Sequence, residues 1–73
     1  MDISSALYNS LTLKYESEIQ TNKTNLLIYF EKSVGIADHP DQLKDMDDLI
    51  SKISEANDKL KILKDMFQRY SKL

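Results

Sequence analysis

The chain has 73 residues, with no cysteine and one residue each of histidine, glycine and proline; ten Lys+Arg stand against twelve Asp+Glu, a formal net charge of −2. A disulfide and a thiolate metal site are excluded, and the charge balance supplies no global attraction to nucleic acid or to an anionic membrane. With 41% hydrophobic and 30% charged residues this is the composition of a folded chain, while the scarcity of glycine and proline argues against the turns of a β-sheet.

No apolar run approaches the ~20 residues of a membrane span. The start Met1-Asp2-Ile3-Ser4-Ser5 lacks the basic and apolar blocks of a secretory leader, so a cytoplasmic chain is expected. A domain this small gains only about 3–5 kcal/mol from its own core unless a metal, a disulfide or a second chain assists. Oligomerisation is the support that remains.

In chain order, Asp2, Ser4 and Ser5 offer N-caps for a first helix running from about Ser4 to Ser33. Leu7, Leu11, Tyr15, Ile19, Asn22, Leu26 and Phe30 recur at steps of three and four, which places them on one helical face. Thr12, Ser17, Thr21 and Thr24 lower the intrinsic propensity, so this helix depends on packing.

The segment from Val34 to His39 reads as a turn. Gly35 suits the left-handed residue just past a helix end, and Ile36 follows where it can pack back on Phe30. Asp38 or His39 can cap the next helix, Pro40 suits its first turn, and Asp41 meets the positive end of its dipole.

The second helix, about Pro40 to Ser71, carries a heptad seam of Leu43, Met46, Ile50, Ile53, Asn57, Leu60, Lys64 and Phe67, with Asn57 and Lys64 as polar intrusions. Asp48 with Lys52 and Glu55 with Lys59 are acid-before-base pairs four apart, each supporting the helix by ~0.2–0.5 kcal/mol. In an antiparallel hairpin the seams meet in register: Phe30 with Leu43, Leu26 with Met46, Ile19 with Ile53, Leu11 with Leu60 and Leu7 with Phe67. The same register sets Tyr15 opposite Asn57 and leaves Asn22, opposite Ile50, without a partner.

The expected fold is therefore all-α, a single-domain two-helix antiparallel hairpin of coiled-coil type. Leu49, Ala56, Leu63 and Tyr70 repeat every seven residues beside the main seam, and Ala6, Leu13, Leu27 and Val34 lie on the far side of the first helix. Apolar strips of that length imply a covering surface, so a homodimer forming a four-helix bundle, or docking on another protein, is expected. Leu13, Leu27, Leu49, Ala56, Leu63 and Tyr70 are the expected contact residues.

Candidates for chemistry each have a plainer reading. His39 beside Asp38 and Asp41 suits a helix cap better than acid–base work, which needs a second positioned group in a concave site. Asp38, Asp41, Asp45, Asp47 and Asp48 lack the central glycine and distal glutamate of a calcium loop, and an acidic first turn is what the dipole favours. Lys59, Lys61, Lys64, Arg69 and Lys72, interleaved with Phe67 and Tyr70, could meet a nucleic acid, but Asp65 interrupts them and a helix C-terminus favours cations. Met46 and Met66 read as filler of a core or an interface. No catalytic residue, metal, cofactor or small-molecule substrate is expected.

The segment from Val34 to Phe67, VGIADHPDQLKDMDDLISKISEANDKLKILKDMF, resembles a pattern in small proteins of T-even-type tailed phages, marine ones especially. Its most specific part is the turn, Gly35, Ile36, His39, Pro40 and Asp41; Ala37 departs from the glycine or small polar residue of that pattern. The resemblance covers roughly half of the chain and implies a phage context, with the cytoplasm of the host cell as the compartment and no catalytic residue. A weaker, fold-level likeness joins the chain to type III secretion needle subunits and their small helical chaperones, whose paired-proline loop is absent here. The expected function is a protein–protein interaction module that binds a host or phage protein; an accessory subunit of a larger assembly is the alternative, and nucleic-acid binding stands last.

Overall fold

The computed structural model describes residues 2–32 and 41–72. They form two α-helices, α1 over Ile3–Glu31 and α2 over Gln42–Ser71, packed against each other along their length. The direction is antiparallel: the Tyr8 ring stacks on Phe67 with centroids 4.2 Å apart, and at the other end the Tyr29 hydroxyl donates to Asp45 Oδ2 at 3.1 Å. The all-α hairpin read from the sequence is the fold. The turn residues Gly35, Ile36, Asp38, His39 and Pro40, with Val34, lie outside the described residues.

Both helix starts have a visible cause. Asp2 caps α1, accepting from the Ser4 amide at 3.2 Å and from the Ser4 and Ser5 hydroxyls at 2.7 and 3.0 Å. These hydroxyls, Ser4 first, hold the Asp2 carboxyl below its ordinary value. At α2 the N-cap is Asp41, later than the expected Asp38 or His39, and it works through its backbone: its carbonyl accepts from the Asp45 amide at 2.9 Å. At its C-terminus α1 stops at Glu31, two residues short of Ser33, where Lys32 closes on the Ile28 carbonyl.

The helices are level as expected but turned about their own axes. From Tyr8 to Tyr29 the partly buried residues of α1 are Tyr8, Thr12, Tyr15, Ile19, Asn22, Leu26 and Tyr29, with Glu18 beside them, while Leu7, Leu11 and Phe30 are exposed. The cause is the helical period. At ~100° per residue, stepping back from Ile19 by fours to Leu7 drifts about a third of a turn, whereas alternating fours and threes to Tyr8 stays within ~20°.

The seam of α2 shifts likewise. Gln42, Met46, Leu49, Ile53, Ala56, Leu60, Leu63 and Phe67 are its buried and half-buried residues, so Leu43, Ile50, Asn57 and Lys64 are displaced from the expected seam to the surface. Both sets share Met46, Ile53, Leu60 and Phe67. The set containing Ala56 and Leu63 wins because it keeps Asn57 and Lys64 out from between the helices, where an unpaired polar group is costly; its one amide, Gln42, lies at the turn end beside the Met46 sulfur at 3.9 Å.

Three smaller expectations change with this rotation. Asn57 is exposed and makes no pair with Tyr15; the Lys14 and Lys59 ammonium groups stand 6.0 Å from the Tyr15 ring instead. Asn22 finds a partner on its own helix, donating to the Glu18 carbonyl at 2.7 Å. Of the two expected ion pairs on α2, Glu55–Lys59 forms at 3.5 Å, and Asp65–Arg69 joins it at 3.2 Å. Asp48 and Lys52 line a groove beside Tyr29.

The core is thin. Among the described residues Ala56, 2% exposed, is the one buried apolar side chain, and no large side chain is fully enclosed. The molecule is a rod of 56 × 19 × 13 Å with a radius of gyration of 16.8 Å, against about 11 Å for a compact chain of this length.

Candidate functional site

Two helices bury only the stripes that face each other, and everything beside those stripes forms two long flanks. A residue one place after a seam position falls on one flank, and a residue one place before it falls on the other, for both helices, because they run antiparallel. The first is the front flank and the second the back flank.

At the turn end the front flank is apolar. Leu27 and Phe30 follow the seam residues Leu26 and Tyr29; Leu43 and Ile50 follow Gln42 and Leu49. All four are exposed, Leu27 and Phe30 at 60%, Leu43 at 81% and Ile50 at 51%. Toward the chain ends the front flank becomes mostly polar, with Lys23, Glu16, Asn57, Lys61 and Lys64 exposed along it and Leu13, which follows Thr12, as its exposed apolar residue.

The back flank has the opposite arrangement. Its turn half is charged and grooved: Asp45, Asp48 and Lys52 line one groove with Ile28 and Tyr29, and Glu18, Glu55 and Lys59 line the next around Ala56. Its other half is apolar, with Leu7, Leu11, Ile62 and Met66 exposed immediately before the seam residues Tyr8, Thr12, Leu63 and Phe67. In the first groove, the hydrogen bond from Tyr29 to Asp45 is the main reason the phenol titrates above its ordinary value, since it holds the proton on the oxygen.

The expected contact residues are thereby divided. Leu13, Leu27 and Tyr70 are exposed, Tyr70 leaning on Phe67 with ring centroids 5.9 Å apart. Leu49, Ala56 and Leu63 are not a free strip: Ala56 is buried and the other two are half-buried in the seam, because they supply the apolar half of the heptad that Asn57 and Lys64 could not. Leu43, Ile50 and Phe30 at the turn end, and Leu7 and Leu11 at the other, are expected seam residues left outside. The two polar residues of the expected seam, Asn57 and Lys64, carry the signal for this: they lie on the side of α2 that also holds Lys61.

The candidates for chemistry are also placed. Phe67 is half-buried in its stack with Tyr8, so its ring is taken up within the hairpin. Lys59 and Arg69 are each paired with an acid on their own helix. Of the acidic group, Asp41 caps α2 and Asp45 accepts from Tyr29; Asp38 and His39 lie outside the described residues, and among the described ones no three His, Cys, Asp or Glu side chains converge as a metal site. No helix of the described residues is long and apolar enough to cross a membrane.

Fold and surface together define a class, the antiparallel helical hairpin with apolar patches on opposite flanks. No protein-family model, no curated protein and no solved structure matches the chain.

Proposed function

We propose that this chain is a non-enzymatic protein–protein interaction module. One observation carries the reading: the chain keeps a single buried apolar side chain among its described residues while leaving Leu43, Phe30, Leu27, Ile62 and Leu7 each more than half exposed. Apolar side chains grouped in this way gain free energy only when another surface removes them from water, at about 25 cal/mol per Å². In the phage context that the turn sequence resembles, the surface would belong to a host or phage protein, met in the host cytoplasm.

A specific feature favours a second reading, an accessory subunit of a larger assembly. The two apolar patches lie on opposite flanks, and a contact joining one to the other would be heterologous and could propagate.

The test is a salt series with the tagged chain as bait. A protein partner, another copy of the chain or a different protein, is expected to stay bound up to about 1 M salt, where the Debye length is only ~3 Å. Binding should be lost on the double substitution Phe30→Lys and Leu43→Lys. Retention of nucleic acid alone, falling steeply with salt, would overturn the reading in favour of phosphate contacts.

A further inference from the structure

We infer that the apolar end of the front flank is covered by a second copy of this chain, in a parallel two-fold dimer that makes a four-helix bundle. The inference rests on the interaction reading above and names its partner. Three observations carry it.

The first is area. The chain exposes 5944 Å² for a mass of 8.5 kDa, whereas a compact monomer of that mass exposes about 4,700 Å². The surplus of about 1,300 Å² exceeds the ~800 Å² that each partner contributes to a stable interface. One copy laid on one flank thus removes more than half of that surplus from each chain.

The second is self-complementarity. Tyr29 lies level with Asp45, so Phe30 stands within one residue of the level of Leu43, and Leu27 stands level with Asp47, three residues or ~4.5 Å along the axis from Ile50. A two-fold axis parallel to the rod brings α1 of one copy over α2 of the other at the same level. Phe30 then meets the partner's Leu43, and Leu27 meets the partner's Ile50, each pair twice. A two-fold axis perpendicular to the rod would instead lay this patch on an end of the flank where Leu13 stands among the exposed polar residues Asn9, Lys61 and Lys64.

The third is charge. The same operation brings Glu16 to within three residues, ~4.5 Å along the axis, of the level of the partner's Lys61, and Lys23 to within four residues, ~6 Å, of the partner's Asp47, spans that a lysine side chain covers. Opposite charges therefore follow the apolar patch along the interface, again each pair twice. The two pairs are offset in opposite directions, so a slip that shortens one lengthens the other, which favours the symmetric register.

The absence of cysteine permits a direct test with purified full-length chain. Leu27→Cys and Ile50→Cys are made separately, mixed in equal amounts and oxidised, beside sedimentation equilibrium of the unaltered chain at about 1–100 µM, a range that brackets micromolar dissociation constants. Expected results are twice the monomer mass, a covalent product joining position 27 to position 50 in excess over either homodimer, and a dissociation constant raised at least ~tenfold by Leu43→Lys. Leu7→Cys mixed with Ile62→Cys should give no more cross-link than chance collision.

A monomer throughout the range overturns the dimer. So does efficient cross-linking of Phe30→Cys to Ile62→Cys, which would report the heterologous contact. If the chain is monomeric yet still retains a different protein through high salt, the dimer falls while the interaction reading stands; if it retains nothing, both fall.

Discussion

Thr12 is the most informative single residue. It sits in the seam of α1 with its Oγ1 shielded from solvent and without a hydrogen-bond partner. A hydroxyl in that position loses water and gains nothing, a cost of roughly 1–3 kcal/mol by mutational measures. Thr12→Val keeps the shape and removes the oxygen, so it is expected to stabilise the hairpin by about 1 kcal/mol, raising the melting temperature by about 4–8 °C. Thermal denaturation followed by circular dichroism checks this, and a lowered melting temperature would mean that the hydroxyl has a partner.

Two titrating residues give opposite pH signatures. Asp2 has its folded-state pKa depressed below 3.8, so its capping contribution is complete above that value and is lost as the pH falls through the depressed one. The melting temperatures of the unaltered chain and of Asp2→Ala should therefore differ at pH 7 and converge toward pH 2. Tyr29 has its pKa raised above 10.0, so its contribution is complete below that value and is lost as the pH rises through the raised one. A phenolate difference titration between the unaltered chain and Tyr29→Phe should show late ionisation, and Asp45→Asn should bring the midpoint back toward 10.0; a midpoint unmoved by Asp45→Asn would show that the hydrogen bond is not the cause.

At the scale of the element, the rotation of α2 about its axis decides which residues are core. Ala56 is enclosed and Asn57, its neighbour, is exposed. Ala56→Leu should overpack the seam and cost about 1–3 kcal/mol, while Asn57→Ala should stay within about 0.5 kcal/mol of the unaltered chain, as surface substitutions do. Urea denaturation of the two variants reads this directly. The reverse order of effects would return α2 to the seam of Ile50, Asn57 and Lys64.

The helices themselves were legible because their signals are local. Asp2 was among the cap candidates and is the cap; Glu55 and Lys59, four apart, are paired. Which face turns inward was less legible. Leu43 and Ile50 on one phase, and Leu49 and Leu63 on the next, make two overlapping heptads, both sharing Met46, Ile53, Leu60 and Phe67. A stripe that wide has two acceptable seams, and the polarity of Asn57 and Lys64 was the signal that should have ranked them.

At the scale of the whole molecule, a rod with a thin core makes stability depend on concentration. If the front flanks pair, the melting temperature should climb as the chain is concentrated about a hundredfold, since association stabilises only the folded form. Phe30→Lys should flatten that dependence, and Leu7→Lys, on the back flank, should leave it intact. An unaltered chain that melts at one temperature over the whole range would be a monomer holding itself together.

The pair of long helices, their antiparallel order and their level against each other follow from the chain alone, because helical period, caps and the near absence of glycine and proline act within a few residues of where they are written. The tertiary structure alone decided the rotation of each helix, and with it the exchange of Leu49, Ala56 and Leu63 for Leu43, Ile50 and Phe30 as surface. That choice depends on both helices at once: each turns until Tyr8 can stack on Phe67 and Tyr29 can reach Asp45, and no stretch read alone contains that constraint.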